Sequence, residues 1–297
     1  MLLYFPLEII RWLQGYENAF WDFFFDGVSI LGEEYFYIMV LGLVYWVLNK
    51  RLGEFLGITL GASITFNNVA KNIFSHPRPF EAYPDEVTNK RPGTATGHSM
   101  PSGHVQGSAS VFFAFAFYLK KRYLFIIASI ITILMMFSRM YLGVHYIQDV
   151  VAGAVIAILI AFVMHYFSRK YADDMGALHK FYLVTLLLFL PFYFILANSV
   201  SANDFFKGYG ILVGIVIGVM VEKKYVKFSL DIPLWKKGLR YILGLVMMGS
   251  VLIGVGLIFD FVITNVLVKN ILDFVRYFLV AFVGLGVYPY IFKRFNF

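Results

Sequence analysis

No cysteine occurs in the 297 residues, which excludes disulfides and thiolate metal sites and leaves the redox compartment open. Charge is scarce as well: 14% of residues are charged, against about 25% in soluble globular proteins. Ser/Pro-rich linkers, internal repeats and low-complexity tracts are absent, so nothing in the composition divides the chain. The N-terminal stretch MLLYFPLEIIRWLQGYENAFWDFFF lacks the basic region and small-residue cleavage site of a signal peptide. With Glu8, Arg11 and Gln14 among apolar and aromatic residues, it reads as an interfacial helix. What is abundant is apolar: 60% of residues are hydrophobic and 19% aromatic, with a mean hydropathy of +0.74. The expected fold is therefore all-α, a polytopic transmembrane helix bundle.

A spanning helix needs roughly 20 mostly apolar residues. Nine segments approach this, at about 30–48, 53–74, 102–119, 123–138, 141–167, 179–198, 206–222, 240–262 and 272–292. The first carries Glu33 and Glu34 and is the weakest. Net charge is +7, which in such a chain points to membrane orientation and not to nucleic acid. Counted over alternate loops, sixteen of the 25 basic residues fall on one side, Lys50, Arg51, Lys223, Lys224 and Lys227 among them. The nine on the other side include Lys71, Arg78 and Arg139. The richer side is expected to be cytoplasmic, with the N-terminus outside and the C-terminus inside.

Three segments break the apolar pattern: KNIFSHPRP (71–79), MPSGH (100–104) and SRMYLGVHYIQD (138–149). An up-and-down bundle brings all three to one face, the external one. Lys71 and Arg78 lie two turns apart, and Pro77 and Pro79 predict that the helix stops just before Arg78. Ser102 is a candidate N-cap, with Gly103 letting the backbone approach a ligand and His104 in the first turn; such a terminus suits an anion. Read as one helix, His145 and Asp149 share a face at i and i+4, so the carboxylate can orient the imidazole. Each feature alone has a structural reading: cations at a membrane boundary, an ordinary cap, a histidine–aspartate helix pair. Together, three cations, a helix start and two histidines suit a phosphate. No metal site is expected, since no histidine pair has zinc-ligand spacing.

The three segments resemble the signature of the type 2 phosphatidic acid phosphatase (PAP2) superfamily: Lys-x6-Arg-Pro, Pro-Ser-Gly-His and Ser-Arg-x5-His-x3-Asp. Lys71, Arg78 and Pro79, then Pro101 to His104, then Ser138, Arg139, His145 and Asp149 fill every position. The resemblance implies a PAP2-type helical core and hydrolysis of a phosphoric monoester or diphosphate without metal or other cofactor. It makes His145 the nucleophile, oriented by Asp149, and His104 the group that protonates the leaving oxygen and then activates water. Lys71, Arg78, Arg139, Ser102 and Gly103 would hold the phosphate oxygens. A nine-span layout is also similar to the glucose-6-phosphatase branch, in topology only.

The expected organisation is an N-terminal interfacial segment at 1–29, a catalytic helix core at 30–170, and further transmembrane helices at 171–297, which could shape a lipid entrance or a dimer contact. The expected substrate is a phospholipid or polyprenyl phosphate or diphosphate, met at the extracytoplasmic side of a bacterial plasma membrane. The loop 75–101 would cover the site, with Lys90 and Arg91 drawing in anionic headgroups. Two alternatives stay open: a lipid phosphotransferase using the same site, and a transporter or scaffold that only binds phosphate esters.

Overall fold

The computed structural model describes residues 7–95, 97–263 and 265–295. The first six residues of the expected interfacial segment, and the last two of the C-terminal FKRFNF, lie outside them. Every regular element among the described residues is a helix. Six are long and apolar enough to cross a membrane: Arg122–Tyr141, Ile147–Lys170, Met175–Ile195, Val200–Val226, Leu234–Phe259 and Val266–Phe292. A seventh span results if Ala19–Ile30 and Glu34–Leu48, bent by 51°, count as one. Two expected spans form helices that fall short on composition or length. Lys50–Phe74 carries Glu54, Asn67, Asn68 and Lys71, which lower its hydropathy, and Gly103–Leu119 has 17 residues.

The chain forms two compact units. The first comprises residues 1–37 and 66–162, the second residues 38–65 and 163–297. In the first, helix Glu8–Gln14 buries Ile10 and Leu13 in a core with Phe25, Val105, Met135 and Tyr141, while Trp12 and Tyr16 stay exposed. Helix Arg122–Tyr141 turns Ile126, Ile130 and Ile133 outward and Met135, Ser138 and Arg139 inward. An outward apolar face is what hydrocarbon requires, and the polar groups take the inside.

In the second unit, association cannot rest on the hydrophobic effect, because lipid is as apolar as leucine; close packing replaces it. Gly210, Gly214 and Gly218 recur every fourth residue on helix Asn203–Val221 and lie against the backbone of Phe274, Phe278 and Gly286. A Cβ on Gly214 would fall 2.8 Å from the Ala281 methyl. A second cluster of this unit gathers Trp46, Phe228, Met248, Tyr277 and Tyr288, with the Trp46 indole donating to the Gly284 carbonyl at 2.9 Å.

Candidate active site

All eight residues singled out from the three segments fall in the first unit. Helix Lys50–Phe74 ends three residues earlier than the prolines predict, because Ser75 takes a left-handed conformation (φ 46°) and returns its backbone N–H to the Lys71 carbonyl. Arg78 follows in extended backbone and opens the short helix Pro79–Ala82. Its backbone N–H donates to Glu81 at 2.8 Å, which caps that helix.

The third segment joins two helices as expected, but the second starts six residues later than the expected span 141–167, so His145 and Asp149 do not share one helix. Helix Arg122–Tyr141 ends just after Arg139, and the next helix begins only at Ile147, which places His145 in a turn between them. Gly143 makes that turn: its φ is +73°, and a Cβ there would strike the Thr88 carbonyl. Asp149 sits in the first turn of Ile147–Lys170, where its Oδ2 accepts the Tyr146 backbone N–H at 2.9 Å and stands 3.4 Å from His145 Nδ1. The pairing expected from helix spacing therefore forms, with the carboxylate capping the helix that His145 precedes.

The other face of the imidazole settles its tautomer. Arg78 Nη1 lies 3.3 Å from His145 Nε2 and 3.0 Å from the Val144 carbonyl. A guanidinium has no acceptor, so the contact requires a lone pair on Nε2 and puts the proton on Nδ1, toward Asp149. Burial holds the His145 imidazole well below its ordinary value, with Arg78, Arg139 and Lys71 adding to the effect. At neutral pH this ring is uncharged.

Helix Gly103–Leu119 begins where PSGH predicts, but the Ser102 side chain does not cap it. Instead the Ser102 backbone N–H donates to the Asp149 carbonyl at 2.9 Å, tying the two segments together. A Cβ on Gly103 would stand 4.0 Å from Lys71 Nζ, so the helix start faces the end of Lys50–Phe74. Arg139 is fully buried and gives one nitrogen to the Ser29 hydroxyl. Its Nε and Nη2, the Ser102 hydroxyl, His104 Nε2 and Asp149 Oδ1 are buried without a hydrogen-bond partner. Orphaned buried polar atoms are uncommon; five of those among the described residues lie on motif residues, and others, such as Tyr37, Thr59 and Thr132, lie outside the motifs.

Several contributors were not legible in the motifs. The Ser99 hydroxyl donates to Asp149 Oδ2 and lies 3.4 Å from His145 Nδ1. Asn67 donates to the Pro101 carbonyl at 3.2 Å and to Gln106 at 2.8 Å. Gly32 packs on the ring of His104, where a Cβ would come within 2.8 Å of His104 Cβ. Nothing in their spacing distinguishes these residues from loop or core residues.

One reading of the loop 75–101 is corrected. Lys90 pairs with Glu17 at 2.6 Å and Asp22 at 3.0 Å, and Arg91 pairs with Asp26 at 2.8 Å and with Glu33. Both cations tie the loop to the N-terminal helices, so headgroup capture is not their role. Glu86 pairs with Arg11. Among the described residues no group of three or more His, Asp or Glu has the arrangement to hold a metal ion.

Comparison with known proteins points to one family. A model of the PAP2 superfamily matches residues 53–173, and one described as PAP2 superfamily phosphatase, transmembrane extension, matches 206–297. The "Probable sphingosine-1-phosphate phosphatase" of Dictyostelium discoideum is 31% identical over 57% of this chain and 44% of its own length. "Sphingosine-1-phosphate phosphatase 2" of Homo sapiens is 26% identical over 64% of this chain and 47% of its own. The chain thus spans about half the length of these two relatives. "Undecaprenyl-diphosphatase BcrC" of Bacillus subtilis (strain 168) is 30% identical over 50% of this chain and 79% of its own length. With the three motifs complete and most of that bacterial relative covered, this integral membrane protein belongs to the PAP2 superfamily.

Proposed function

We propose that the chain is a phosphatase that hydrolyses a lipid phosphate or diphosphate at the extracytoplasmic face through a phosphohistidine on His145. One observation carries the reading: buried donors without protein partners on Arg139, Ser102 and His104 share a unit with a neutral His145 whose Nε2 holds a lone pair.

Nε2 of His145 attacks phosphorus, and the bond from phosphorus to the lipid oxygen breaks. His104, protonated once the negative charge of the phosphate stands beside it, gives that oxygen its proton, so an alcohol leaves a monoester and a lipid monophosphate leaves a diphosphate. Arg139, Lys71, Arg78 and the start of helix Gly103–Leu119 hold the equatorial oxygens, where charge is spread in the transition state. Asp149 stabilises the imidazolium formed at Nδ1, with Ser99 fixing the carboxylate. Water then attacks phosphorus, His104 takes its proton, the P–N bond breaks, and inorganic phosphate leaves. Sphingoid-base phosphates and polyprenyl diphosphates, the substrates in the relatives' names, are the first to test.

The test is phosphate release by the purified protein in detergent, across a panel of lipid phosphates and diphosphates with EDTA present. Turnover of at least one substrate is expected, and its abolition in His145→Ala. A normal rate in that variant would refute the nucleophile, and no release from any substrate would refute the activity.

A further inference from the structure

A cavity of about 420 Å³ opens within the second unit, lined by Tyr45, Lys50, Arg51, Glu54, Met175, Glu222, Lys223 and Lys227. This size falls in the range of small-molecule sites, about 300–1,000 Å³. Its frame is built from two ion pairs. Lys50 meets Glu222 and Lys223 meets Glu54, each at 2.6 Å, and both carboxylates are buried. Lys50 is fixed further by the Phe228 carbonyl at 3.0 Å and by the Phe228 ring, 4.0 Å from its ammonium to the centroid. Glu222 also accepts the Phe228 backbone N–H at 3.0 Å. These four charges cancel, and their side chains are held in place.

Three groups in the same lining are left over. Arg51 and Lys227 make no side-chain hydrogen bond or ion pair with the described residues, which leaves two positive charges at the cavity. Tyr45 is 2% exposed, and its hydroxyl is buried with no hydrogen-bond partner. Burying a hydroxyl unpaired is costly, which marks it as a donor awaiting an acceptor. A fork of guanidinium donors, an ammonium and a phenol match a doubly charged tetrahedral oxyanion.

We propose that this cavity is a second phosphate-binding site, separate from the His145 cluster, which takes a phosphate monoester group through Arg51, Lys227 and the Tyr45 hydroxyl. The group can arrive on a lipid headgroup or as free phosphate. Lys227 has a left-handed backbone (φ +53°), secured by its N–H to the Glu222 carbonyl at 2.8 Å. Glycine keeps that conformation without strain, so Lys227→Gly removes the cation while sparing the turn.

The test uses the full chain in detergent micelles. Inorganic phosphate is titrated by calorimetry, and a phosphonate analogue of phosphatidic acid, which resists hydrolysis, is counted by native mass spectrometry. Arg51→Gln/Lys227→Gly is compared with the unaltered protein, and thermal unfolding without phosphate verifies its fold. The expected result is one binding event weakened by about tenfold or more in the double variant. A second event should survive there and disappear in Arg139→Ala. Tyr45→Phe, which deletes one oxygen, should weaken the first event alone. Loss in the calorimetric arm identifies free phosphate as ligand, and loss confined to the lipid arm identifies a headgroup. Binding by both probes that is indifferent to Arg51, Lys227 and Tyr45 overturns the proposal, and so does the absence of any event beyond the one that Arg139→Ala removes. Because turnover is not the readout, failure here leaves the phosphatase reading standing.

Discussion

A histidine attacks phosphorus only as the free base, and the residues around His145 act together to keep it so. Arg78 on one side accepts nothing and therefore selects the tautomer; Asp149 and Ser99 on the other receive the proton of Nδ1. Burial keeps the ring neutral below its ordinary value of 6.5. In ¹⁵N-histidine NMR of the protein without substrate, one ring should show an unprotonated Nε2 and hold that signal as the pH falls through 6.5. The same depression means that the unfolded chain binds this proton first, so stability drops as the pH falls from 6.5 toward the folded value. A ring that protonates at or above 6.5 would contradict the assignment. Ser99 offers a complementary test. Ser99→Ala leaves Asp149 Oδ2 short of a donor, an effect of about 1–3 kcal/mol. The kcat for phosphate release should fall by roughly tenfold or more, with KM near its starting value because Ser99 is not assigned to the substrate.

Whole helices reveal both what their residues disclose and what they conceal. Helix Asn203–Val221 meets Val266–Phe282 along three glycines, where the backbones touch. Gly214→Leu must push them apart and should destabilise the second unit by about 2–3 kcal/mol, seen as a lower melting temperature in detergent. Ile217→Leu, at an exposed position of the same helix, should leave it unchanged. The helices themselves were legible because apolar runs of this length have few other uses, and the candidate cluster could be assembled because its spacings are local. Lys71 to Arg78, Ser102 to His104 and Arg139 to Asp149 each lie within a dozen residues. Contacts across large separations were not legible. Ser99 reaches Asp149 over 50 residues, Arg91 reaches Glu33 over 58, and Lys50 reaches Glu222 over 172. The span expected at 141–167 also began too early: Gly143 takes a left-handed backbone, which side-chain polarity does not announce, and the helix starts only at Ile147.

At the scale of the molecule the open question is orientation, and the absence of cysteine makes it tractable. Any single cysteine introduced is the sole thiol of the chain. Asp85 is exposed in the loop whose Arg78 and Ser99 contact His145, and Asp231 is exposed in the loop that follows Lys223, Lys224 and Lys227. Those lysines belong to the sixteen-residue side of the charge count, while Arg78 and Arg139 fall on the sparser side. The sparser count understates the asymmetry, because both arginines are buried and so do not serve as topological signals. In intact cells, a membrane-impermeant maleimide should label Asp85→Cys at once and Asp231→Cys only after lysis. The reverse pattern would place the phosphatase site in the cytoplasm. It would turn the Arg51–Lys227 cavity outward, and the source of its phosphate would have to be sought there. Equal labelling of both before lysis would mean that an even number of crossings separates the two loops, and the span count would then need revision at the bent pair Ala19–Ile30 and Glu34–Leu48 or at the polar helix Lys50–Phe74.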